Sequence, residues 1–256
     1  MKPRTNMLRI KDSIGIKKSA TSGIDCKSFC KDKKYFKNYP KNVTYEYNSM
    51  GFRDREWPDS LSDAIWCVGD SFTVGTGQPF KETWPQVLER KLGEKNRWYM
   101  PWVVRKSGKR CLNLGEDGCS NDTMALRVNE LYNLHAPKLI IVMWSYLARR
   151  RINGENVDYN KDDFGVDKDM INFNKNFVQL NQLPTNIIHS IIPFPFQRTR
   201  FSNARLHLEK YKNLIVTEQL DYARDYHHFD IKTSELVTNQ MVEKINHLDK
   251  SSKYPI

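Results

Sequence analysis

The 256-residue sequence contains no apolar run approaching the roughly 20 residues that a membrane-spanning helix needs. Its opening stretch, MKPRTNMLRIKDSIGIKK, is basic but lacks the continuous apolar region of a secretory signal, so a cytoplasmic location is expected. Cysteines are few and odd in number: Cys26, Cys30, Cys67, Cys111 and Cys119. Three of them fall in or beside apolar, strand-like runs, which points to buried free thiols rather than a disulfide framework. Cys26 and Cys30 have no second Cys/His pair at zinc-finger spacing, so no metal site and no cofactor are expected. Internal repeats and low-complexity tracts are absent. The apolar fraction is 39% and the charged fraction 28%, a balance that fits one globular domain carrying a polar appendage.

The net charge of +11 is unevenly placed: residues 1–41 hold twelve Lys/Arg against three Asp/Glu. Residues 1–42 therefore read as a basic N-terminal extension and residues 43–256 as the domain. Such an arm is either a solvated tail or a docking element for nucleic acid, an anionic surface or an acidic protein. No motif for base recognition accompanies it.

Beyond the loop-rich entry YEYNSMGFRDREWPDS, strand-like and helix-like segments alternate. AIWCVG, KRCLNLG, KLIIVMW and NIIHSIIPF are continuously apolar and read as buried strands. TWPQVLERKLG reads as a helix with Thr83 as N-cap, Pro85 in the first turn and Gly93 as its stop. SNDTMALRVNELYNLH reads as a helix capped by Ser120 or Asn121, and further helical patterns cover about 203–217 and 233–247. Residues 151–175 are polar and read as an insertion over or beside the site. The alternation implies an α/β fold with a mostly parallel sheet covered on both faces. In such sheets reactive groups gather beyond the carboxyl ends of the strands.

The first of those ends reads Gly69-Asp70-Ser71. Ser71 either caps the following turn or is a nucleophile. A serine hydroxyl needs a neighbouring base, usually a histidine oriented by a carboxylate. Late in the chain, ARDYHHFD supplies Asp225 and His228 at a spacing that lets the carboxylate reach one ring nitrogen while the other points at Ser71. His227 is the neighbouring alternative. His189 lies in an apolar strand and reads as a core histidine. The pattern around Ser71 lacks the final glycine of a Gly-x-Ser-x-Gly elbow, which argues against an ordinary α/β-hydrolase.

These motifs resemble those of the SGNH hydrolases, the GDSL-type esterase and lipase superfamily. GDSFTVGTG is similar to its nucleophile block, ETWPQVLE to the helix that follows, and YNSMGFRDRE to a bacterial lead-in. NLGEDGCSND is similar to the second block, with Gly118 at its glycine, and DYHH to the final Asp-x-x-His block. The chain also resembles bacteriophage-encoded members. The resemblance implies a three-layer α/β/α sandwich with a five-stranded parallel sheet of flavodoxin-like kind. It also implies ester hydrolysis through an acyl-serine intermediate, with Ser71 as nucleophile, His228 as base and Asp225 as its orienter. The N–H groups of Ser71 and Gly118 would bind the oxyanion. The family's third block, Gly-x-Asn-Asp, is missing after IIVMW; Tyr146 falls nearest its asparagine, and Ser145 or Asn121 could donate instead.

Asp70, Ser145 and Arg149, at the strand ends, are expected to meet substrate, with Trp144 lining the pocket or the core. Arg149, Arg150 and Arg151 are either a solvated charge run or a seat for an acidic substrate. The leading expectation is a serine esterase acting on a small-molecule or glycan O-acyl ester of carbohydrate or lipid type. The rival is a catalytically weak SGNH scaffold with a binding role, such as a virion or assembly component. It would dock on an anionic or viral protein partner through the basic arm.

Overall fold

The computed structural model describes residues 8–18, 43–59, 61, 63–95, 109–158, 166–195 and 205–251. Most of the basic arm, including Cys26 and Cys30, lies outside the described residues.

Two short strands, β1 (Lys17–Lys18) and β2 (Tyr45–Glu46), pair antiparallel at the entry to the domain. Leu8, ahead of them, is buried in the core. The central sheet is built from β3 (Ile65–Gly69), β4 (Cys111–Gly115), β5 (Leu139–Trp144), β8 (Asn186–Ile191) and β9 (Leu214–Ile215). Its spatial order is β4-β3-β5-β8-β9 and every pairing is parallel. The strands β3, β4 and β5 are buried at every position, as their unbroken apolar runs require of a sheet covered on both faces.

Helix α1 (Ser71–Val74) follows β3 directly, and α2 (Trp84–Lys95) returns the chain to β4. Helices α3 (Asn121–His135) and α4 (Val166–Asn181) complete the crossovers to β5 and β8, and α5 (Ile231–Ser251) follows β9. α2 packs on α5, and α3 packs on α4. Right-handed crossovers from β3 outward in both directions put those pairs on opposite faces, giving the three-layer α/β/α sandwich. Each helix turns an apolar stripe inward: Met124, Val128 and Leu131 on α3, Phe173, Phe177 and Leu180 on α4, Val237, Met241 and Ile245 on α5. Because the chain leaves β3 toward β4 and later leaves β5 the opposite way, a crevice opens between the carboxyl ends of β3 and β5.

Several expectations are corrected. The region read as a helix over 203–217 ends in strand β9, whose two residues are too short to leave a periodic signal. Gly93 does not stop α2, which runs through it to Lys95. Residues 151–175 are not one polar insertion. β6 (Arg149–Ile152) and β7 (Glu155–Asp158) form a hairpin, and α4 begins at Val166. Asn153 and Gly154, both at positive φ, make its two-residue turn. Ser120, rather than Asn121, caps α3 by accepting from the Thr123 N–H.

The edge strand β4 is closed by side chains. Glu89 accepts from the Cys111 N–H at 2.9 Å, Asp54 from Asn113 at 3.0 Å, and the Asn113 amide oxygen from Gly115 at 2.9 Å. Burial pushes the Asp54 carboxyl up to about 6, against the pull of that N–H and of Arg110.

Candidate active site

The turn that presents Ser71 is set by Asp70. Its carboxylate accepts from the Phe72 N–H at 3.0 Å and so caps α1. Ser71 is therefore the first helical residue, not the cap, and its hydroxyl is free to face another element. Arg53, in the entry loop, holds the far end of this turn. One terminal nitrogen donates to the carbonyls of Val74 (3.1 Å) and Gly75 (2.6 Å), the other to those of Thr44 (2.9 Å) and Gln78 (2.8 Å). Its guanidinium also lies 4.1 Å from the centroid of the Tyr45 ring.

The second half of the site comes from the loop between β9 and α5. Asp221 closes the base of that loop: its carboxylate accepts from the N–H groups of Asp230, Lys232 and Thr233 and from the Thr233 hydroxyl. The Thr233 hydroxyl oxygen in turn accepts from the Leu220 N–H at 2.9 Å. Within the loop, Asp225 accepts from the N–H groups of His227 and His228, each at 3.0 Å, and Tyr226, between Asp225 and His227, turns the chain at φ 57°. The other Asp225 oxygen accepts from Nδ1 of His228, and Nε2 of His228 lies 2.7 Å from the Ser71 hydroxyl. The Phe72 ring packs 4.4 Å from the His228 ring and shields it. His227 is exposed instead and meets the Tyr146 hydroxyl at 3.0 Å.

Burial works against the Asp225 carboxylate, but the charge and hydrogen bond of His228, with the N–H groups of His227 and His228, hold its pKa below the usual carboxylate value. Burial likewise pulls His228 down. The charge and hydrogen bond of Asp225, helped by the charges of Asp70 and Asp117, outweigh it and hold the imidazole above its ordinary value. Both directions favour the same ion pair. His189, by contrast, is lowered to about 3 by burial and by the charge of Lys244; it is buried, and its Nδ1 accepts from the Trp144 indole at 3.2 Å.

Gly118 is exposed at φ 73° on the loop between β4 and α3. Asn121 is buried, and its side chain ties Ser145 N–H (2.8 Å) to the Tyr146 carbonyl (3.2 Å). That position braces the β5 end instead of facing a substrate. Trp144 is fully buried against Phe173 and His189, in the core and not on a pocket wall. Asp70 is also fully buried, so its partners are Ser145 and Arg149 rather than a ligand. Arg150 pairs with Asp169 and so is not part of a free charge run, whereas the Arg151 side chain donates from Nε to the Gly154 carbonyl at 3.1 Å and only its main-chain N–H reaches Asp122, at 2.9 Å. Among the described residues no group of three or more His, Cys, Asp or Glu is arranged to hold a metal ion.

No family model matches the sequence, and no curated protein matches it. Among solved structures the chain is similar to TesA, at 13% identity over 72% of this chain and 99% of that chain, with a TM-score of 0.48. It is similar to the psychrotrophic esterase EstA from Pseudoalteromonas sp., at 16% identity over 74% of this chain and 100% of that chain, TM-score 0.47. A third is a member of the lipolytic protein G-D-S-L family from Veillonella parvula, at 16% identity over 70% and 96%, TM-score 0.42. These are likenesses of fold.

Some residues of the site left no clear mark in the sequence. Phe72 reads as one more apolar residue after the strand. Asp221 and Thr233 stand twelve apart and meet only because the loop closes on itself. Thr76 and Asp117, whose side chains bond at 2.9 Å, link the loop after Ser71 to the Gly118 loop without any local pattern. The hairpin at Arg149–Asp158 did carry a signal, the Asn-Gly dipeptide of a tight turn.

Proposed function

We infer that this chain is a serine esterase that hydrolyses an O-acyl ester of carbohydrate or lipid type in the manner of the SGNH hydrolases. The observation that carries this reading is the relay from Ser71 through both ring nitrogens of His228 to Asp225, with 2.7 Å between the hydroxyl and Nε2. In this mechanism the Ser71 oxygen attacks the ester carbonyl carbon while Nε2 of His228 takes the hydroxyl proton. The N–H groups of Ser71 and Gly118 receive the developing oxyanion. The intermediate collapses, the C–O bond to the alcohol breaks, and His228 returns its proton to the leaving oxygen. Water then attacks the acyl-serine with the same histidine as base, releasing the acid and restoring the hydroxyl. Asp225 holds the tautomer and stabilises the imidazolium throughout.

Covalent labelling with a fluorophosphonate and turnover of p-nitrophenyl acetate test this together. Wild-type protein should label at Ser71 and turn over the ester, and Ser71→Ala should do neither. Wild-type protein indistinguishable from Ser71→Ala in both assays would overturn the reading and leave the binding-scaffold alternative in its place.

A further inference from the structure

Behind Ser71, at the crevice between β3 and β5, sits a largely buried charge pair that the relay does not use. Nη1 of Arg149 donates to Asp70 at 2.9 Å and to the Ser145 hydroxyl oxygen at 3.1 Å. The Ser145 hydroxyl donates to the same Asp70 oxygen, while the other Asp70 oxygen caps α1 through Phe72. The guanidinium lies 5.1 Å from the Tyr146 ring centroid. A carboxylate with no solvent contact takes up a proton unless a cation and donors hold it ionised. Burial holds Asp70 above the usual carboxylate value, and the charge of Arg149 is the strongest influence opposing that rise, ahead of the Ser145 and Phe72 hydrogen bonds.

We propose that Arg149 is a positioning residue for the nucleophile: it keeps Asp70 ionised behind Ser71, so that Asp70 both fixes the first turn of α1 and favours the imidazolium that His228 becomes during attack. The guanidinium has a second effect, since it offsets a negative charge that would otherwise oppose the oxyanion. The sequence places Arg149 three residues beyond Tyr146, the position nearest the missing asparagine block. The catalytic meaning of this pair rests on the esterase reading, but the pair itself does not.

The charged and titratable groups around Asp70 are Arg149 from the segment after β5, His228 from the loop before α5, and the Cys119 thiol from the loop before α3. Around His228 they are Asp225, Asp70, Asp117 and the adjoining His227. If Arg149 holds Asp70 ionised, its loss protonates Asp70 and takes a negative charge away from His228.

The test is an NMR titration of the His228 imidazole in wild type, Arg149→Met, Arg149→Lys, Asp70→Asn and the Asp70→Asn/Arg149→Met pair. This readout needs no ester turnover, so its failure is separable from failure of the esterase reading. The midpoint should fall in Arg149→Met and in Asp70→Asn, fall no further in the double variant, and stay near wild type in Arg149→Lys. Fluorophosphonate labelling should slow in the same order, by about tenfold to hundredfold for Arg149→Met. An unchanged or raised midpoint in Arg149→Met would overturn the proposal, because a merely structural arginine would leave His228 where it is. Should Arg149→Met not fold, an unchanged midpoint in Asp70→Asn would overturn it equally.

Discussion

The Arg224 N–H donates to the Gly77 carbonyl at 3.2 Å, joining the loop that bears His228 to the loop that follows Ser71 by main chain alone. The two loops approach so closely that a Cβ on Gly77 would stand 2.9 Å from the Ala223 Cβ and 3.2 Å from the Arg224 nitrogen, at a φ of 79°. Gly77→Ala should cost about 1–3 kcal/mol of stability through strain. It should also lower ester turnover by roughly 10²-fold by displacing the base from the hydroxyl. Urea unfolding and steady-state kinetics on the same sample measure both.

The pH dependence follows from His228. In the proposed mechanism His228 must be neutral to accept the serine proton, and Asp225 holds it above its ordinary value of about 6.5. Turnover should therefore rise with pH through an acid limb centred above that value. Asp225→Asn removes the largest raising influence and leaves burial opposed by the charges of Asp70 and Asp117, so the limb should move to lower pH. Its plateau should fall by about 10⁴-fold, the size of the corresponding change in a serine-protease triad. A pH–rate profile of both proteins checks the direction.

Arg53 satisfies four backbone carbonyls with two nitrogens. Arg53→Met would strand the carbonyls of Val74, Gly75 and Gln78 at buried positions and should cost at least about 3 kcal/mol. The urea midpoint should drop with an unchanged slope. Arg53→Lys should not restore it, because one ammonium cannot reproduce the planar fork.

Asp221 receives the first N–H groups of α5. Asp221→Ala should cost about 1–2 kcal/mol, and hydrogen exchange should speed up at residues 231–234. Because the same carboxylate shuts the loop that bears Asp225 and His228, kcat should fall more than KM rises.

The strands β3, β4, β5 and β8 were legible because each is a continuous apolar run, and a sheet covered on both faces writes its strands that way. That Ser71, Asp225 and His228 would meet was legible because Ser71 follows directly on a strand end and the other two lie together in one short motif. Strand β9 was not, since two paired residues carry no period. The places of Trp144 and Asn121 have another cause. The sequence tells that Trp144 ends a strand and that Asn121 opens a helix, but not that both side chains turn inward, and both do. The Arg149–Asp70 pair was hidden for the same reason. Two strands lying side by side in the sheet, not neighbouring segments of chain, bring it together.

The closure of β4 by Glu89, Asp54 and Asn113 limits how copies of this molecule can meet. A strand arriving from another chain finds the donors at 111, 113 and 115 already taken and would have to evict two acidic side chains to dock there. Continuous ribbons running from molecule to molecule are thereby blocked at this margin, and any assembly of the protein there must be made through its helical layers.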